Sequence, residues 1–408
     1  MFKSMINLDQ SGKKNLFIFF VFSLFIIHYS LFTIEVGGHL TENTTWSPEN
    51  NPYLVVDDVY VDSNVILTIL PGTVVKLNAS PLTSYGDMDS FVYYNGENIA
   101  KMIQVDGQLI ANGTEDNPIV FTRIQDSLYY HWGIIYLRED AGLCSFKYCT
   151  LEYSAYLLIV LGIIPSGAIC IHNEDTIIEN CNFIDNLTGV YVNFFPQNIV
   201  IKNSNFYNID NISPTYPGTH ERRGLSIGTA FSNEANILLI AGNSFTETGS
   251  GFRHVKIDNS IPSHIVNNYF LGYNGLKASM ESEKESYIFD NDFINFDQYG
   301  IRGGEEENSL YINNNRFIEG VDGIDINYGY VEIMDNYFED SKLELYNAES
   351  KIVNNIFIND SGPDSNPAIF GIPKVFNNNL VYGCVYAFSG IPEDNFSNNI
   401  FVANDFAF

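Results

Sequence analysis

The chain has 408 residues, 49 of them acidic and 20 basic, for a formal net charge of −29. Such a surface repels phosphate backbones, which argues against nucleic acid as a partner. Charged residues are only 17% of the chain, whereas there are 31 Phe, 26 Tyr and 31 Gly, a balance that favours strands and turns over a helical protein.

The first readable element is an address. Lys3, Lys13 and Lys14 precede an apolar run, LFIFFVFSLFII, from Leu16 to Ile27. That is the length of a signal-peptide core, and read on to Ile34 it is just enough to span a bilayer. No A-x-A-like cleavage site follows. Residues 1–15 are therefore expected to be a cytoplasmic n-region and 16–34 either a signal peptide or a hydrophobic membrane-anchor helix, with the rest exported to the outside of the cell or its surface. Seven N-x-S/T sequons, at Asn43, Asn78, Asn112, Asn186, Asn211, Asn359 and Asn395, agree with export. Five cysteines do not make a disulfide scaffold, and an odd count leaves one unpaired.

From Ile178 onward one phrase, I-x-N-N-x-F, returns about every two dozen residues. It reads IENCNF at Ile178–Phe183 and IKNSNF at Ile201–Phe206, then IAGNSF (Ile240–Phe245), IVNNYF (Ile265–Phe270), IFDNDF (Ile288–Phe293) and INNNRF (Ile312–Phe317). IMDNYF (Ile333–Phe338), IVNNIF (Ile352–Phe357), VFNNNL (Val375–Leu380) and FSNNIF (Phe396–Phe401) complete the series, and FKYCTL at Phe146–Leu151 is a degenerate earlier copy. Regular repetition of a short strand-forming phrase is the mark of a solenoid. Stacked coils would pile the first-slot Ile and last-slot Phe into interior ladders. The fourth slot predicts an asparagine ladder through Asn243, Asn268, Asn291, Asn315, Asn336, Asn355, Asn378 and Asn399.

Slots one and four differ in parity, so the chain must bend between them, and Asn or Asp in slot three suits that bend. A second strand follows each Phe, marked by Gly189-Val190, Gly251-Phe252, Gly275-Leu276, Gly300-Ile301 and Gly323-Ile324. Helical repeats would need apolar spacing near 3.6 over ten or more residues, which Asn-Asn and Gly interrupt here. The fold expected is all-β: a single-stranded right-handed parallel β-helix, with leader coils over 35–145 and repeats over 146–408. A longer step between Phe206 and Phe245 places an insertion near 207–230.

The leader region resembles secreted right-handed parallel β-helix proteins of bacteria and archaea, the pectin-lyase-like group. The matching stretches are GGHLTENTTWSPENNPYLVVDDVYVDSNVILTILPGTVVKL (Gly37–Leu77), IQVDGQLIANGTEDNPIVFT (Ile103–Thr122), WGIIYL (Trp132–Leu137) and FKYCTLEYS (Phe146–Ser154). The resemblance implies fold and export over roughly residues 36–401. It implies less about function, because the group includes lyases, hydrolases, epimerases, adhesins and non-enzymes. Its lyases use Ca²⁺-binding carboxylates with an Arg or Lys base, and its hydrolases clustered Asp. This chain has no N-T-D, G-H-G, R-I-K or D-P-H-E motif.

The preferred reading is a non-catalytic, adhesin-like or glycan-binding surface protein; the alternative is a lyase-type enzyme acting on acidic polysaccharides. Candidate ligand-binding residues are His220, Arg222, Arg223, Arg253 and His254, a clustering of scarce cations suited to a carboxylated sugar. The Asp57-Asp58 pair reads as a solvated strand end. No cofactor is expected beyond weak Ca²⁺ at acidic turns such as Asp185, Glu319 and Asp340. Tyr269, Tyr311 and Tyr337 suit either sugar stacking or packing between coils. Cys149 and Cys181 share a slot, as buried thiols or a disulfide.

Overall fold

The computed structural model describes residues 33–81, 100–127, 130–154, 167–192, 198–208, 222–227, 237–247, 252–258, 263–272, 274–279, 285–303, 309–358, 367–389 and 395–405. The expected export segment and His220 lie outside the described residues.

A single coil shows how the sequence winds. Ser309–Asn313 is a strand on a first face, with Leu310 and Ile312 buried. Asn314 takes a φ of 54° and turns the chain, so that Asn315 points inward. Arg316–Ile318 then runs along a second face with Phe317 inside. Glu319, at a φ of 55°, makes the next corner, and Asp322–Ile326 forms a third face. Left-handed backbone costs least at Gly, Asn and Asp. Slot three obeys this at Asn180, Asn203, Gly242, Asn267, Asp290, Asp335, Asn354 and Asn398, all at positive φ, whereas the early copy places Tyr148 there at a φ of 48°. Of the corner acids, Asp185, Glu319 and Asp340 serve the second bend in the same way.

Apart from a short antiparallel pair, Ser80–Pro81 with Tyr130–His131, each described strand pairs with its counterpart one coil away. Ser309–Asn313 lies parallel between Glu285–Phe289 and Tyr330–Met334. The first face is a 14-stranded sheet, and the other two faces are joined in one 27-stranded sheet. They join because the long strand Tyr53–Val61 runs along both, pairing with Val74–Leu77 at one end and Ile103–Val105 at the other. The molecule is a right-handed parallel β-helix.

Apolar columns fill the tube, two of them built from the repeated phrase. Ile178, Ile201, Ile240, Ile265, Ile288, Ile312, Ile333 and Ile352 are fully buried partners across successive coils. From Phe183 to Phe357 the phenyl rings stack with centroids 4.5–5.0 Å apart, the spacing that strand pairing imposes. The third-face glycines make room for these rings. A Cβ on Gly275 would come within 2.1 Å of Gly300 O and 2.8 Å of the Phe293 ring.

The asparagine column is continuous and extends further than the phrase indicated. The Cys181 amide donates to Ser204 Oγ, Ser204 N to Asn243 Oδ1, and each later column member to the next. Asn243, Asn268, Asn291, Asn315, Asn336, Asn355 and Asn399 are members, as expected. Asn378 is not: it is the exposed left-handed corner at a φ of 58°, and buried Asn379 takes the ladder position. The coil reads FNNNLV from Phe376 to Val381, because Phe376 lies beside Ile352 and Val381 beside Phe357.

Two further expectations change. Gly251-Phe252 is out of step with the other glycine pairs, since Phe252 lies beside Arg222, while Val255 follows Leu225 in the apolar column. The stretch Arg222–Ile227, expected within the insertion, is an ordinary third-face strand between Thr188–Val192 and Phe252–Asp258.

All five cysteines are buried as free thiols. Burial pushes the Cys149 and Cys170 thiols well up, and the Cys144 thiol to about 11. Since the thiolate is the nucleophile, iodoacetamide is expected to leave all five unmodified in the native protein and to label all five after denaturation. Mass spectrometry checks this; prompt native labelling of Cys149 or Cys181 would contradict the packing.

Candidate functional site

Strand register on the third face lines up one outward side chain per coil. Leu225, Val255, Leu276, Ile301, Ile324 and Leu343 point inward. The next residue of each coil therefore faces out, giving the row Ser226, Lys256, Lys277, Arg302, Asp325, Glu344 and Phe370. Three consecutive cations in a chain with only 20 basic residues are followed directly by two acids.

Upstream the same row changes character. His39, Tyr60, Gln104, Tyr136, Cys170 and Tyr191 continue it toward the first coil. Tyr60, Tyr136 and Tyr191 pack around Met102, Ile134 and Cys170 in a small apolar cluster. Tyr136 Oη shares a 3.2 Å hydrogen bond with His172 Nδ1, and burial pulls His172 down to about 4, so the imidazole is neutral at physiological pH.

The register also places the backbone positions of the expected cation residues. Arg223 lies beside Arg253, and Arg222 beside Phe252, on neighbouring parallel strands; His254 follows Arg253 along its strand. These strands carry Ser226 and Lys256 into the row above.

Where cations give way to acids, a cavity of about 540 Å³ opens between coils, its walls including Tyr299, Arg302, Asp322, Asp325, Glu344 and Tyr346. Arg302 Nε sits 3.1 Å from Asp325 Oδ2, and its guanidinium carbon is 5.5 Å from the Tyr299 ring centre. Lys342 Nζ lies 3.0 Å from Asp322 Oδ1 and also bonds Glu344, whose Oε2 accepts the Tyr346 hydroxyl at 3.0 Å. Burial raises the Asp322 and Asp325 carboxyls above the ordinary range despite these cations. Asp325 Oδ1 is buried with no hydrogen-bond partner among the described residues. None of these residues stood out in the sequence. Aligning coils on the third-face apolar residue would have shown them, because Arg302, Asp325 and Glu344 each follow it directly.

No family model matches the sequence, and no curated protein matches it. The chain is similar to a periplasmic alginate epimerase, AlgG, with 12% identity and a TM-score of 0.44, over 92% of this chain and 77% of that one. It is similar also to PfbA, a surface adhesin of Streptococcus pneumoniae, with 14% identity and a TM-score of 0.39, over 93% of this chain and 86% of that one.

Other sequence candidates have structural roles. Tyr287 and Tyr311 stack at 4.9 Å and both hydroxyls donate to Glu285, so their ring faces are used between coils. Tyr337 donates to Glu339 Oε2, whereas Tyr269 is 37% exposed. Asp57 pairs with Lys101 at 3.1 Å, and Asp58 Oδ1 accepts the Met102 amide. Among the described residues, no group of three His, Cys, Asp or Glu side chains could hold a metal ion.

Proposed function

We propose that this chain is a non-catalytic secreted or cell-surface β-helix protein that presents its third face to carboxylated glycans. The observation supporting this reading is the unbroken outward series Lys256, Lys277 and Arg302 at one register position, beside strands bearing Arg223 and Arg253. Parallel strands hold these positions about 4.8 Å apart on a rigid scaffold, so an extended anionic chain would meet several cations with little ordering cost. Surrounding negative charge would discourage other polyanions and sharpen selectivity for a chain that fits the row. The N-terminal segment would export the protein or tether it to the membrane.

The test is retention on immobilised polygalacturonate or alginate against dextran, at low and physiological salt. Binding is expected on the acidic supports only and should weaken with salt. The double reversal Lys256→Glu with Lys277→Glu is expected to weaken it by about tenfold, from roughly 0–1 kcal/mol per exposed charge contact. Equal retention on dextran would defeat the proposal, and release of unsaturated oligosaccharides would replace it with the lyase reading.

A further inference from the structure

The cavity at the acidic end of the row has a charge balance opposite to that of the cationic stretch. Asp322, Asp325 and Glu344 supply three carboxylates against Arg302 and neighbouring Lys342, and both cations are already ion-paired. Asp325 is only 6% exposed, yet one of its two oxygens has no hydrogen-bond partner among the described residues. Leaving a buried charged acceptor unmatched is costly, so a donor that supplies the missing bond gains accordingly. Arg302 holds only the other oxygen, and its side chain is 47% exposed beside the cavity.

The ligand chemistry follows from what the walls reject. A uronate would meet three carboxylates. A purely apolar group would strand them. A neutral sugar could donate a hydroxyl but would leave the excess negative charge standing. An ammonium group meets both needs: it forms a charge-assisted bond to the carboxylate and suits the aromatic wall supplied by the 40% exposed Tyr346. We infer that this cavity is a subsite for a sugar unit carrying a free amino group. The inference deepens the glycan-binding reading above and rests on it. The cavity volume lies within the range of small-ligand sites.

Isothermal titration with glucosamine tetrasaccharide and its fully N-acetylated counterpart tests the assignment on the exported chain. The free-amine oligomer is expected to bind and the acetylated one to give no heat. Asp325→Asn keeps the shape and removes the charge; it is expected to weaken binding by about tenfold, with the circular dichroism spectrum unchanged. Should that variant fail to fold, Glu344→Gln one coil further along the same row is expected to weaken binding several-fold. Affinity of the unmodified chain should also fall as pH is lowered through the raised Asp325 range, because the neutral acid no longer holds a cation. Equal binding of the two oligomers, or binding indifferent to both substitutions, would overturn the subsite. A chain that ignores glucosamine oligomers but is still retained on polygalacturonate would lose this subsite alone; loss of retention with amine binding intact would instead remove the carboxylated-glycan reading.

Discussion

Asn315→Ala is expected to destabilise the coil stack by about 4 kcal/mol, from two or more orphaned buried groups at roughly 1–3 kcal/mol each. Asn315 Oδ1 accepts both the backbone amide and the side-chain amide of Asn291, at 3.0 and 2.9 Å. Its own Nδ2 donates to Ile288 O, Asn313 O and Asn336 Oδ1. Alanine thus strands the buried Asn291 N–H and removes the side-chain donor from Ile288 O, both one coil up, while Asn336 Oδ1 keeps the backbone amide of residue 315. Solenoid coils depend on their nearest neighbours, so damage should concentrate at that junction. Native-state hydrogen exchange at the Asn291 amide reads it directly, with urea unfolding as the global measure. Protection unchanged at Asn291, or a loss below about 1 kcal/mol, would show that the ladder contributes little beyond its backbone pairing.

Phe317→Ala should cost about as much, roughly 3–5 kcal/mol for a large buried aromatic. The ring is fully buried, with Phe293 at 5.0 Å on one side and Phe338 at 4.8 Å on the other. The site cannot collapse easily. Gly300 has no side chain to move into the gap, and the flanking rings are held at strand spacing by their own backbones. Phe317→Leu keeps most of the volume and should cost under about 1.5 kcal/mol. Equal effects of the two substitutions in urea unfolding would mean that ring stacking, not volume, sets stability in this column.

The columns were legible because each slot has one physical job. Ile and Phe point inward, Asn bridges coils, and a left-handed residue precedes it. The misreading at Asn378 shows the limit of such a pattern. Three consecutive asparagines, Asn377 to Asn379, admit two phases, and Val375 imitates the first-slot Ile; a slip of one residue exchanges an interior position for a corner. The correct phase is fixed by Phe376 and Val381, which a search for Ile and Phe passes over. The cavity was hidden for another reason. Tyr299, Asp322 and Glu344 are separated along the chain by whole coils, and only the register, including a shift between Asp322 and Ile324, brings them to one wall. The search for clustered cations found Arg222, Arg223 and Arg253, which adjoin the row, but not Lys277 and Arg302, which belong to it.

One property of the asparagine column reaches beyond stability. From Ser204 to Asn379 the backbone amide of each column residue donates in the same direction, to the side-chain oxygen one coil further on. The carboxamide dipoles are therefore co-aligned along the tube axis, and each bond polarises the next. The interior carries a built-in electrical polarity, with its oxygen ends toward the first coil. Interruption midway divides one long aligned array into two shorter ones, whereas interruption at Asn399 only trims it.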